Sequence, residues 1–138
     1  MWYSIVCFSL GEMHSAPEGF SMPVVDVHYK KRRVPRKVLN HLAATLPTMV
    51  ADHFTCNGGG MLTTRDVEVR FHKRNRRDVA RYPVSIDVNM TAYTERSADL
   101  DSRSDRLFKA IQRIIGPQVG FGLWVNLAFR SWWIETGD

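Results

Sequence analysis

Cysteine is nearly absent from the chain: Cys7 and Cys56 are the two in 138 residues. They form no CxxC pair, which excludes a disulfide framework and a thiolate zinc site and points to a reducing compartment, the cytoplasm. Long apolar runs are also missing. No stretch approaches the roughly 20 residues that a membrane-spanning helix needs, so no membrane partner is expected. His28, His41, His53 and His72 lack metal-ligand spacing. The Gly58-Gly59-Gly60 run is not followed by the Lys-Ser or Lys-Thr of a phosphate loop and does not follow a strand. Cys56 has no evident histidine partner for nucleophilic work. These absences leave no metal and no cofactor to be expected.

Acidic residues are outnumbered, 14 against 19 lysines and arginines, which gives a formal charge of +5 and a pI near 9.6. That balance favours an anionic partner, whether a small acid, a phosphate or a nucleic acid. With 44% hydrophobic residues, the chain suffices for one compact domain with an apolar core.

The first 22 residues stand apart. An apolar run over residues 2–10 has no Lys or Arg ahead of it, and Glu12 and Glu18 follow, which argues against a secretory signal. Met22 then stands directly before Pro23 and a strand-like run. Residues 1–22 are therefore read as a leader or an extension upstream of the true start, with an added edge strand or docked arm as the alternative. The domain proper is expected over residues 23–138.

From Pro23 the chain reads as two similar halves, about 23–78 and 79–138. Pro23-Val24-Val25-Asp26-Val27-His28-Tyr29 is rich in β-branched residues and reads as a strand. Pro83 opens a second, in which Val84, Ile86, Val88 and Met90 alternate with polar residues. After the first strand, Val38, Leu39, Leu42, Leu46, Met49, Val50 and Phe54 recur at helical spacing, with Pro35 suited to the first turn and Pro47 expected to kink or break the helix. After the second, Leu100, Leu107, Phe108, Ile111, Ile114 and Ile115 repeat that spacing, and Gly116-Pro117 ends it. Alternation then returns at Val67, Val69 and Phe71, and again at Phe121, Leu123, Val125, Leu127 and Phe129. The expected fold is α+β in two layers: tandem β-α-β units giving a four-stranded sheet with two helices on one face.

Two basic runs interrupt this frame. Lys30-Lys31-Arg32-Arg33, with Arg36 and Lys37, follows the first strand; Lys73, Arg74, Arg76, Arg77 and Arg81 fill the connection between the halves. Each reads either as a solvated loop or as an anion-attracting rim. Asp99, Asp101 and Asp105 read as favourable charge near a helix N-terminus.

A strand headed Met22-Pro23, a basic turn, an amphipathic helix, a second strand and a repeat of the whole resemble the tautomerase superfamily. That family includes 4-oxalocrotonate tautomerase, 5-carboxymethyl-2-hydroxymuconate isomerase and macrophage migration inhibitory factor. The resemblance covers residues 23 to about 135 and implies a homotrimer and a cofactor-free isomerase. Its catalytic base would be an N-terminal proline, here Pro23. The chemistry has an independent reason: a free prolyl nitrogen is a secondary amine, and an apolar site beside cations lowers its pKa towards neutrality, where it acts as a general base. An internal proline is an amide and has no such capacity. The resemblance also implies a substrate-binding arginine ten residues on, Arg33, with Arg32 its neighbour. A guanidinium fork suits a carboxylate. A second arginine would fall at Glu68, so Arg70, two residues along the same strand face, is its substitute. Trp124, Trp132 and Trp133 are candidates for an aromatic wall.

The leading expectation is thus a tautomerase or isomerase shifting a proton in a small anionic oxo- or hydroxy-carboxylate. A tautomerase-fold protein without catalysis stands second. A basic module gripping nucleic-acid phosphates stands third, and nucleic acid is not the expected partner.

Overall fold

The computed structural model describes residues 2–9, 23–56 and 61–129. Five strands and three α-helices follow in the order β1 (Trp2–Ser9), β2 (Val24–Tyr29), α1 (Arg36–Phe54), β3 (Glu68–Lys73), β4 (Val84–Thr91), α2 (Thr94–Ala98), α3 (Leu100–Ile115) and β5 (Phe121–Phe129). A short 3₁₀ turn, Thr64–Asp66, leads into β3. The strands form one mixed sheet in the order β1-β5-β4-β2-β3.

Each half is a β-α-β unit with parallel strands: β2 beside β3, and β4 beside β5. The halves meet where β2 and β4 pair antiparallel, with Val24 opposite Asn89 and Tyr29 opposite Val84. The four strands expected from the repeat are all present. β1 adds a fifth at the outer edge, pairing parallel with β5 from Trp2 opposite Gly122 to Ser9 opposite Phe129.

Both long helices cover one face. Val25, Val27, Val84, Ile86, Val88, Leu123, Val125 and Leu127 point to that side and are buried, and Leu42, Leu46, Val50, Phe54, Leu107 and Ile111 meet them from the helices. At about 25 cal/mol per Å² of apolar area removed from water, this two-layer core is the main stabilising term. The other face carries polar side chains.

α1 runs unbroken through Pro47, so the break expected there does not occur. The bond that proline withholds would end on the Ala43 carbonyl, and Ala43 is exposed, so water can replace the missing donor. Leu42, Leu46 and Val50 hold the buried stripe on both sides of it. α3 ends as its sequence indicates, with Gly116 at φ 80°, a conformation that favours glycine. Asp99 stands at the N-cap of α3 and Asp101 in its first turn, whereas Asp105 lies further in and pairs with Lys109 at 2.8 Å.

Candidate active site

Pro23 heads β2 and is buried. Strand alternation puts it on the helix-covered side with Val25 and Val27. Its carbonyl accepts a hydrogen bond from the Glu68 N–H at 3.0 Å, which ties the starts of β2 and β3 together. β4 runs the opposite way, so its last residues, Met90 and Thr91, lie at this same end of the sheet.

Two buried arginines also gather at this end. The Arg96 guanidinium has no solvent exposure and donates to the Phe54 carbonyl at 2.7 Å and the Thr91 carbonyl at 2.8 Å. Arg103 donates to the His53 and Thr55 carbonyls at 3.0 and 2.8 Å, and pairs with Asp99 at 2.7 Å. Both satisfy carbonyls that the C-terminus of α1 leaves without helical donors. Burial lowers the Arg96 pKa from its ordinary value. The sequence reading did not single out either arginine. The signal available was weak: both arginines stand in polar stretches, where such a side chain ordinarily faces water.

The outer sheet face carries a row of titratable side chains. His72 contacts Asp26 at 2.7 Å, His28 lies 4.0 Å from Asp87, and the two imidazoles stack with centroids 4.7 Å apart. Burial, opposed by His28 and reinforced by Asp26, raises the Asp87 carboxyl above its usual range. Among the described residues, no three His, Cys, Asp or Glu side chains are grouped to hold a metal ion. Arg70 is on this face, opposite Asp26, and bonds Glu68 at 2.9 Å. That hydrogen bond and the Glu68 charge raise the Arg70 pKa. The arginine considered as a substitute is therefore held by the carboxylate that occupies the expected arginine position.

Arg32 and Arg33 are exposed in the turn that follows β2. With six strand residues between, at about 3.3 Å per residue, they lie roughly 20 Å from Pro23 within one chain. There they line an open groove of ≈ 1060 Å³ with Lys30 and Lys31 on one side and Lys73, Arg74, Asn75 and Arg76 on the other. The chain thus ties the Pro23 carbonyl to the Glu68 N–H, sets Arg70 on the other face of the sheet, and leaves Arg32 and Arg33 at the opposite end of β2. Trp124 folds over Gly122, where a Cβ would fall 2.4 Å from the indole, so its ring covers the sheet beside Tyr82. Trp132 and Trp133 lie outside the described residues.

No protein-family model matches the sequence, and no curated protein matches it. Solved structures do. A 5-carboxymethyl-2-hydroxymuconate isomerase from Deinococcus radiodurans R1 is similar over 86% of this chain and 88% of its own, at 16% identity and a TM-score of 0.56. A protein of unknown function from Vibrio cholerae O1 biovar eltor is similar over the same shares, 86% and 88%, at 12% identity and a TM-score of 0.51. The chain has the fold of the tautomerase superfamily.

Proposed function

We propose that this chain is a cofactor-free tautomerase or isomerase that moves a proton within a small oxo- or hydroxy-carboxylate. The observation that carries the reading is the buried Pro23 at the head of the first repeat strand of a tautomerase fold. When Pro23 is the mature N-terminus, with Met22 as the start and then removed, its nitrogen is an amine. Apolar burial disfavours the ammonium form, and the cations Arg96 and Arg103 at the same end act in the same direction. The lone pair then takes a proton from the substrate carbon or hydroxyl and returns it at the new position, so the enzyme ends each cycle unchanged.

The substrate carboxylate needs a guanidinium. Arg70 stands on the neighbouring strand but on the other sheet face, paired with Glu68, and Arg33 or Arg32 reaches a Pro23 only from another copy of the chain, since about 20 Å separates them within one protomer. This supports a homotrimer with sites completed between subunits. No helix among the described residues is long and apolar enough to cross a membrane, and the scarce cysteines favour the cytoplasm.

Ketonisation of phenylenolpyruvate or 2-hydroxymuconate, followed by ultraviolet absorbance, tests the reading. A chain beginning at Pro23 should exceed the buffer rate, and Pro23→Ala should lower that rate about 10²-fold or more. An unchanged rate in Pro23→Ala removes Pro23 from the mechanism. A second reading, a tautomerase-fold protein without catalysis, is favoured by β1, whose eight residues pair along β5 and build the leading segment into the sheet. In a chain retaining that segment, the Pro23 nitrogen is an amide.

A further inference from the structure

The two basic runs lie 40 residues apart in sequence, and each alone reads as a solvated loop. Parallel pairing of β2 with β3 brings their ends side by side: Tyr29 stands opposite Lys73, and the runs that follow form the two walls of one groove. Seven of the eight lining residues are Lys or Arg, and none is acidic.

The cations in this groove differ from Arg70, Arg103 and Lys109 in what they hold. Arg70, Arg103 and Lys109 each hold a carboxylate within 2.7 to 2.9 Å. Among the described residues, none of the seven groove cations has a carboxylate within 4.0 Å. Seven like charges held together, with no described carboxylate within 4.0 Å of any of them, repel one another, and an anionic ligand relieves that repulsion.

The walls are also held in place. The Lys30 N–H bonds the Pro83 carbonyl at 2.9 Å, and the Arg33 N–H bonds the Lys30 carbonyl at 3.0 Å, which closes the first turn. Opposite, the Arg74 N–H bonds the Tyr29 carbonyl at 2.9 Å, while its guanidinium donates to the Tyr82 carbonyl at 2.8 Å and Ser85 Oγ at 2.7 Å. Lys31, Arg32, Arg33, Lys73 and Arg76 are left exposed on this fixed frame.

We infer that this groove binds the phosphate backbone of a nucleic acid, a second anionic ligand for walls that also carry Arg32 and Arg33. A small dicarboxylate is better matched by an enclosed pocket that buries most of its surface. An open trough with cations on both sides suits a chain of regularly spaced phosphates. Arg36, Lys37, Arg77 and Arg81 extend the positive surface beyond the groove in the same two chain segments. The groove offers phosphate contacts and no evident base-reading pocket, so binding should be tolerant of sequence and sensitive to salt.

The test is fluorescence anisotropy of the full chain with a labelled 20-nucleotide single strand and the corresponding duplex, between 25 and 200 mM salt. Binding should weaken along a log–log slope of about −3 or steeper, as expected for four or more neutralised phosphates. Lys73→Gln with Arg76→Gln should reduce the steepness by about 2 and affinity at least tenfold. Lys109→Gln with Arg113→Gln removes the same charge from α3 and should leave binding nearly unchanged, as should Pro23→Ala. Circular dichroism confirms that each variant is folded. Absence of binding at 25 mM salt would overturn the inference, as would equal losses in the two double variants. Tighter capture of anionic lipid vesicles or of an acidic peptide at matched charge would also overturn it.

Discussion

Arg96 lies in a run, Thr-Glu-Arg-Ser-Ala, whose polarity marks it as surface, yet the side chain is fully buried. Its guanidinium bridges the end of α1 to the end of β4 through two carbonyls. Arg96→Met keeps the length and apolar stem but leaves both carbonyls without this donor. The variant should lose about 3 kcal/mol in urea unfolding, because buried acceptors then go unsatisfied. A loss below about 0.5 kcal/mol, the range of ordinary surface substitutions, would show that the bridge is dispensable. His53, in the last turn of α1, has its pKa lowered from 6.5, mainly by burial and further by Arg106. The unfolded chain therefore takes up this proton at higher pH than the folded one. Stability should be fully present above 6.5 and decline as pH falls through that value towards the lower folded pKa. His53→Gln should flatten that decline between pH 7.5 and 5.5, and an unchanged slope would show that burial of His53 does not couple to folding. The sequence could not disclose either residue, because burial of a polar side chain is set by what packs over it.

At the scale of elements, the two β-α-β units were legible because their apolar spacing switches cleanly between periods of two and three to four. Val84, Ile86 and Val88 show that alternation most plainly, and all are fully buried. What joins the units was less legible. Antiparallel pairing of β2 with β4 is a contact between distant segments, and no local pattern in either strand specifies it. α2 was not foreseen, since five residues give too short a window for periodicity. Pro47 misled in the other direction: a local breaker is overridden when the flanking stripe is buried and the orphaned carbonyl faces water. On β5, Gly122 leaves room for Trp124. Gly122→Ala would place a methyl 2.4 Å from the indole Cη2 and 2.6 Å from Cζ3. The expected cost is about 1–3 kcal/mol, and a second change, Trp124→Val, should recover most of it. Without recovery in the double variant, the penalty would lie in the strand backbone and not in the ring.

For the molecule as a whole, the fold was more legible than the site. Strand and helix periods survive without knowledge of partners, whereas a site depends on which ends the topology unites. Pro23 and Arg33 are ten residues apart in sequence, yet an extended strand puts them at opposite ends of the sheet. Lys31 and Lys73 are far apart in sequence and line one groove. The molecule therefore presents two regions: a buried prolyl end of the sheet, where Arg96 and Arg103 hold the end of α1, and a cationic end whose groove has no described carboxylate within 4.0 Å of its cations. β1 is one edge of the sheet, and the other four strands pair among themselves through contacts that do not involve it.

The most direct measurement compares phenylenolpyruvate ketonisation by the intact 138-residue chain and by a chain processed to begin at Pro23, each with its N-terminus verified by intact mass. The account predicts catalysis only from the chain beginning at Pro23, at about 10²-fold or more above its Pro23→Ala variant. Equal rates from a verified intact chain, in which the Pro23 nitrogen is an amide, would contradict it.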